Sequence, residues 1–150
     1  MALTTVQLAR MCAASLAADK NLAAYAQEYF GKAFSIQLGE DFRRPPAMED
    51  APFILVFADA VESQPLMNTH SLGLLVGIND DVWREHNAVQ EMRGLVRLDA
   101  LLVPIEKNLA FATQQCLRQE GTVQFELINF PLLLMQYDLT LTEKLPIGRR

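Results

Sequence analysis

Thr122–Leu145 reads TVQFELINFPLLLMQYDLTLTEKL, and its alternation decides the fold class. Val123, Phe125 and Leu127 alternate with Gln124, Glu126 and Ile128. Beyond Pro131, Tyr137, Leu139 and Leu141 alternate with Gln136, Asp138, Thr140 and Thr142. Successive side chains of a strand point to opposite faces, so this period gives one apolar and one mostly polar face. Two such runs around Phe130-Pro131 predict an antiparallel pair, with one face on a core and the other left for water or a partner.

Upstream, Leu98, Leu101, Leu102, Ile105, Leu109 and Cys116 fall on one face of a helix running from Leu95. Pro104 removes one backbone bond, which predicts a kink there or a helix that starts in earnest near it. Gly121 is the expected stop. Asn79–Arg93 opens with a turn signal and carries Trp83 and His86 among charges, reading as a long loop or a short helix. Before it, Ser71–Ile78 and Phe53–Phe57 read as strands, the latter continuing through Ala58, Ala60 and Val61. Gly73 and Gly77 suggest a bulge, a sharp twist or a close backbone approach. The 40–52 stretch, with Pro45 and Pro46, is a loop, and Phe34–Leu38 is a first strand stopped by Gly39. Thr4 or Thr5 can cap an N-terminal helix carrying Leu8, Met11, Cys12 and Leu16. Asp19 or Asn21 can cap a second segment ending at Gly31, so one helix is expected, with room for a break near Asp19. The order helix, three strands, helix, two strands predicts one α+β domain over 1–150. Its mainly antiparallel sheet carries the N-terminal and central helices on one face.

Hydrophobic residues make up 51% of the chain and charged residues 21%, a balance for a packed core rather than disorder. The net charge of −5, with no basic run, argues against a broad nucleic-acid-binding face and sequence-specific DNA recognition. Arg149 and Arg150 form a small basic tail, read as a solvated end. Gln7, Arg10 and Ser15 interrupt the alanine-rich N-terminus, so no signal peptide is expected, and no apolar run is long enough for a membrane span. Cys12 and Cys116 are too few for a metal signature and read as buried apolar groups in a reducing, cytoplasmic setting.

No motif points to catalysis, a metal or a cofactor. His70 and His86 lie in polar, turn-like stretches without a second ligand at metal spacing, and read as solvated loop histidines. There is no Gly-x-Ser-x-Gly elbow, and Gly73–Gly77 lacks the lysine of a phosphate loop. Arg43 and Arg44, on a proline-stiffened loop, can dock on a neighbouring chain or simply be solvated. Trp83 and Arg84 are either interface anchors or, for Trp83, a plug folded on the core. If the chain were instead an enzyme or a ligand-binding module, Asp80, Asp81, His86 and Glu91 in 79–93 would be the residues to converge.

The element order resembles the small tail-terminator (tail-completion) proteins of long-tailed bacteriophages, prophages and contractile tail-like particles. The phrases that carry the resemblance are Tyr29-Phe-Gly-Lys32, Gly39-Glu-Asp41 before Pro45-Pro46, Ala51-Pro52 opening the apolar strand, and Asn129-Phe-Pro131. It spans nearly the whole chain and is weakest from Asn79 to Gly94. The resemblance implies a structural virion protein, assembled in the host cytoplasm, that forms a ring, usually of six copies, on the tail tube. Its partners would be its own copies, the tube protein and a head–tail connector or neck protein. A related neck assembly factor is the alternative. On this expectation Gln136, Asp138 and Thr140 become candidates to meet a neighbouring subunit or the tube.

Overall fold

A computed structural model describes residues 3–145. Arg149 and Arg150 lie outside the described residues. Helix α1 (Thr5–Ala17) begins in a reciprocal cap: the Thr4 hydroxyl accepts from the Gln7 N–H, and the Gln7 side chain accepts from the Thr4 N–H. Helix α2 (Lys20–Phe30) follows at once, because the Asp19 carboxylate accepts from the N–H groups of Asn21 and Leu22. Gly31 closes α2 with φ +74°, a left-handed conformation that favours glycine.

The strands are β1 (Ser35–Leu38), β2 (Phe53–Gln64), β3 (Met67–Asn79), β4 (Trp83–His86), β5 (Val89–Met92), β6 (Leu117–Glu126) and β7 (Leu132–Lys144). Helix α3 (Arg93–Ala112) lies between β5 and β6. Five strands form one sheet in the order β1-β2-β3-β7-β6, in which only β1 and β2 are parallel. The fold is α+β with a mainly antiparallel sheet. Helices α1 and α3 cover one face, where Leu8, Cys12, Leu16, Leu98, Leu101, Ile105 and Leu109 meet Ile54, Val56, Leu74, Val76, Met135, Tyr137 and Leu139. Each large aliphatic group fully buried there contributes about 1.5–3 kcal/mol. No helix among the described residues is long and apolar enough to cross a membrane.

Several local expectations change. The segment 79–93 is neither loop nor helix but the β4–β5 hairpin, turned by Asn87 and Ala88, both at positive φ. The expected element order therefore gains two strands, and the one expected N-terminal helix is two, α1 and α2, parted at Asp19. Pro104 sits within an unbroken α3, which ends at Ala112 rather than Gly121. Gly121 lies inside β6 opposite Leu139, and Cys116 is buried in the link before that strand. The ladder shifts register in β2, between Ala58 and Ala60, and in β6, between Arg118 and Glu120, not at Gly73 or Gly77. Gly77 instead has the Phe53 ring lying on it.

Candidate functional site

The sheet face turned away from α1 and α3 is where the candidate residues of β7 stand. Cross-strand register fixes its rows. Phe53, Gly77, Leu134 and Glu126 form one, Leu55, Leu75, Gln136 and Gln124 the next, and Phe57, Gly73, Asp138 and Thr122 the third. The face therefore grades from apolar at β2 to polar at β6. Its apolar end is a second small core of Ala51, Phe53, Leu55 and Leu132. Arg44, Pro46 and Asp50 of the 39–52 loop line a cavity of about 350 Å³ with Phe53 and Leu55.

In mid-face lies an open cavity of about 290 Å³ bounded by Glu40, Phe57, Asp59, Leu75, Gln136 and Asp138. Gly73 leaves its floor low: a β-carbon there would stand 3.1 Å from Asp59 Oδ2 and 3.6 Å from Asp138 Oδ1. Burial raises the Asp59 carboxyl above its ordinary value, and the charge of Asp138 raises it further. Gln136 donates its side-chain N–H to Asp138 Oδ1 at 3.3 Å. Three carboxylates border this trough and no basic group does, so it suits a partner's lysine or arginine.

The other candidates are placed separately. Arg43 donates twice to Asp41, at 3.0 and 3.1 Å, and Arg44 pairs with Asp50 at 3.3 Å. Both pairs are exposed and of small energetic weight. Arg84 pairs with Glu91 across the hairpin at 3.0 Å. Trp83 is 53% exposed, its ring centroid 6.3 Å from that of Phe130, so it is no core plug. The 79–93 carboxylates and histidine do not converge. Asp80 is buried against Arg93 and Arg97, Asp81 and His86 are exposed, and Glu91 is taken by Arg84. Among the described residues no group of three or more His, Cys, Asp or Glu is placed to hold a metal ion.

Two buried polar clusters escaped sequence reasoning. His70 is not solvated but fully buried, with Nδ1 2.8 Å from the Thr5 hydroxyl and Nε2 3.4 Å from Glu143. Glu143 in turn accepts from the Leu3 N–H. The cluster ties the start of α1 to β3 and β7. Asp80 accepts from Arg93 Nε and Nη2, both at 2.9 Å, and from the Val82 N–H. The signal was present: His70 and Asp80 continue, two residues at a time, the inward series Leu72, Leu74, Val76, Ile78. Compared with protein-family models and with curated proteins, the chain matches none.

Proposed function

We propose that this chain is a structural protein of a phage tail or tail-like particle. It closes as a ring on the end of the tail tube, stops tube growth and joins the tail to head or neck. Its work is recognition without catalysis, its partners are its own copies, the tube protein and a connector or neck protein, and its place is the virion tail. A head-to-tail ring needs two different surfaces on one subunit that fit each other. One observation supports the reading above the rest. Among the described residues, β6 pairs only with β7, and β1 pairs with β2 only from Phe53 to Val56, so Phe57–Gln64 has a free outer edge. Two unpaired strand edges on opposite sides of one sheet can join copy to copy by backbone hydrogen bonds. The acidic trough beside them meets a basic group of the tube or of the next subunit.

The experiment is native mass spectrometry with electron-microscope averaging, on the chain alone and with assembled tubes. Rings, usually of six copies, seated on tube ends are expected. Replacing Asp138 by Lys together with Thr140 by Trp leaves the fold intact by circular dichroism and lowers assembly. A chain that stays monomeric alone and on tubes overturns the reading, and retention by the connector instead of the tube moves it to the neck.

A further inference from the structure

Helix α3 buries one side and leaves the other bare. Its outward stripe is Val96, Asp99, Ala100, Val103, Lys107 and Ala110, all exposed, followed by Phe111. Val103 is 71% and Phe111 70% exposed, unusual for groups of that size on a helix whose inner side is fully packed. Nothing among the described residues covers this stripe, and neither Asp99 nor Lys107 takes part in an ion pair there.

We infer that the stripe is a twofold contact, and that its occupant is α3 of a second copy of this chain, antiparallel, with Val103 on the axis. The charge pattern selects this partner and this direction. Asp99 lies four residues before Val103 and Lys107 four after it. Within one helix they are about 12 Å apart along the axis, too far to pair. An antiparallel copy centred on Val103 places Asp99 of each chain against Lys107 of the other, twice. The same operation sets Val96 against Ala110 and Phe111 against Leu95, and Ala100 against Glu106, whose carboxylate accepts from the Tyr137 hydroxyl of its own chain. A parallel copy would oppose Asp99 to Asp99 and Lys107 to Lys107, which the like charges disfavour. The small Ala100 and Ala110 allow the helices to approach to the 8–10 Å usual for packed pairs. One helix pair of this length buries less than a standard interface, so the contact belongs to the weak, concentration-dependent class.

The inference does not rest on the ring reading, because the sheet edges and the outer side of α3 are separate surfaces. If both hold, the twofold contact joins two rings, or two chains before ring closure. It is tested by sedimentation velocity over a concentration series with charge-swap variants. The parent chain shows a concentration-dependent dimer component. Asp99→Lys and Lys107→Asp each weaken dimerisation at least tenfold, and the double swap D99K/K107D restores it, which a merely structural role of either residue would not do. As a second readout, Val103→Cys forms a disulfide dimer under mild oxidation. Val96→Cys alone does not, but does when mixed with Ala110→Cys chains; Cys12 and Cys116 are buried and do not interfere. Absence of any dimer component, failure of the double swap to restore it, or no V103C cross-link each overturns the inference. Ring formation on tubes is unaffected by either result.

Discussion

The ring of Phe53 lies over Gly77, its partner across the β2–β3 ladder, so closely that a β-carbon on the glycine would stand 2.2 Å from the ring's Cζ. A ring laid flat on a glycine fills the gap left by the missing side chain and seals the apolar end of the open face. Phe53 is itself buried and cannot swing away without emptying the second core. Gly77→Ala is therefore expected to destabilise the chain by about 1–3 kcal/mol, the range for forcing extra volume into a packed site. Urea denaturation measures it. Combining it with Phe53→Leu should give a loss smaller than the sum of the two single losses, because the leucine leaves room for the methyl group. Simple additivity would mean the ring is not the obstacle.

The Asp80 carboxylate accepts from Arg93, Arg97 and the Val82 N–H. Burial alone would raise its pKa, but hydrogen bonds from Arg93 and the Val82 N–H, with the charges of Arg93 and Arg97, outweigh burial and hold it below the ordinary carboxylate value. A folded-state pKa below the unfolded one gives stability that is present above the unfolded pKa, near 4, and is lost as pH falls through the folded value. Asp80→Asn keeps the shape and removes the charge. Breaking a buried pair usually costs about 3–5 kcal/mol. Because Arg93 and Arg97 reach solvent, a loss of about 2 kcal/mol at pH 7 is expected. Denaturation midpoints at pH 7 and pH 3 should converge between parent and variant as the acid is protonated. A constant gap would show that the loss comes from an amide N–H2 set against the Arg93 and Arg97 donors rather than from the missing charge.

Much of the architecture could be read from period and punctuation, and the misses share a cause. The alternation in β7 gave the core side, Tyr137, Leu139 and Leu141, and the caps at Thr4, Asp19 and Gly31 follow from local chemistry alone. His70 reads as solvated because its residue type suggests water, while its phase in β3 carries it inward, and Asp80, one residue past that strand, keeps the same phase. The β4–β5 hairpin was hidden because its turn uses Asn87 and Ala88 in place of the Asn-Gly pair that announces such turns. Of the candidate interface residues, Gln136, Asp138 and Thr140 share one face as their spacing requires. That Arg43, Arg44 and Arg84 already hold carboxylate partners depends on loop and hairpin geometry that no spacing encodes.

Cys12 and Cys116, far apart in sequence, are neighbours in the core. Burial pushes the Cys12 thiol up to about 12, with a smaller push from Cys116. Burial, then the charge of Glu143, raises Cys116. The thiolate is the reactive form, so at pH 8 only about one Cys12 in ten thousand is reactive in the folded chain. Iodoacetamide at that pH should leave Cys12 unmodified in native protein and modify it rapidly in urea. Cys116, at 9% exposure against 0% for Cys12, should react first of the two. Fast native labelling of Cys12 would mean that α1 opens readily.

Ala88 stands at φ +65° and Asn87 at +52°, the two central positions of the two-residue turn between β4 and β5. Asparagine tolerates the left-handed region, but alanine is strained there by about 1–2 kcal/mol, because its β-carbon crowds the following carbonyl. Glycine would remove that strain while adding about 0.5–1 kcal/mol of chain entropy to be lost on folding. Ala88→Gly is thus expected to stabilise the hairpin by about 0.5 kcal/mol. Ala88→Pro, whose ring fixes φ near −65°, should open it. Since β4 and β5 form no ladder with the main sheet, global unfolding reports this only faintly. Amide hydrogen exchange within Trp83–Met92 is the sensitive measurement, with slower exchange expected for glycine and faster for proline. Equal exchange in parent and glycine variant would mean that the hairpin's order comes from the Arg84–Glu91 pair and the Trp83–Phe130 contact rather than from its turn.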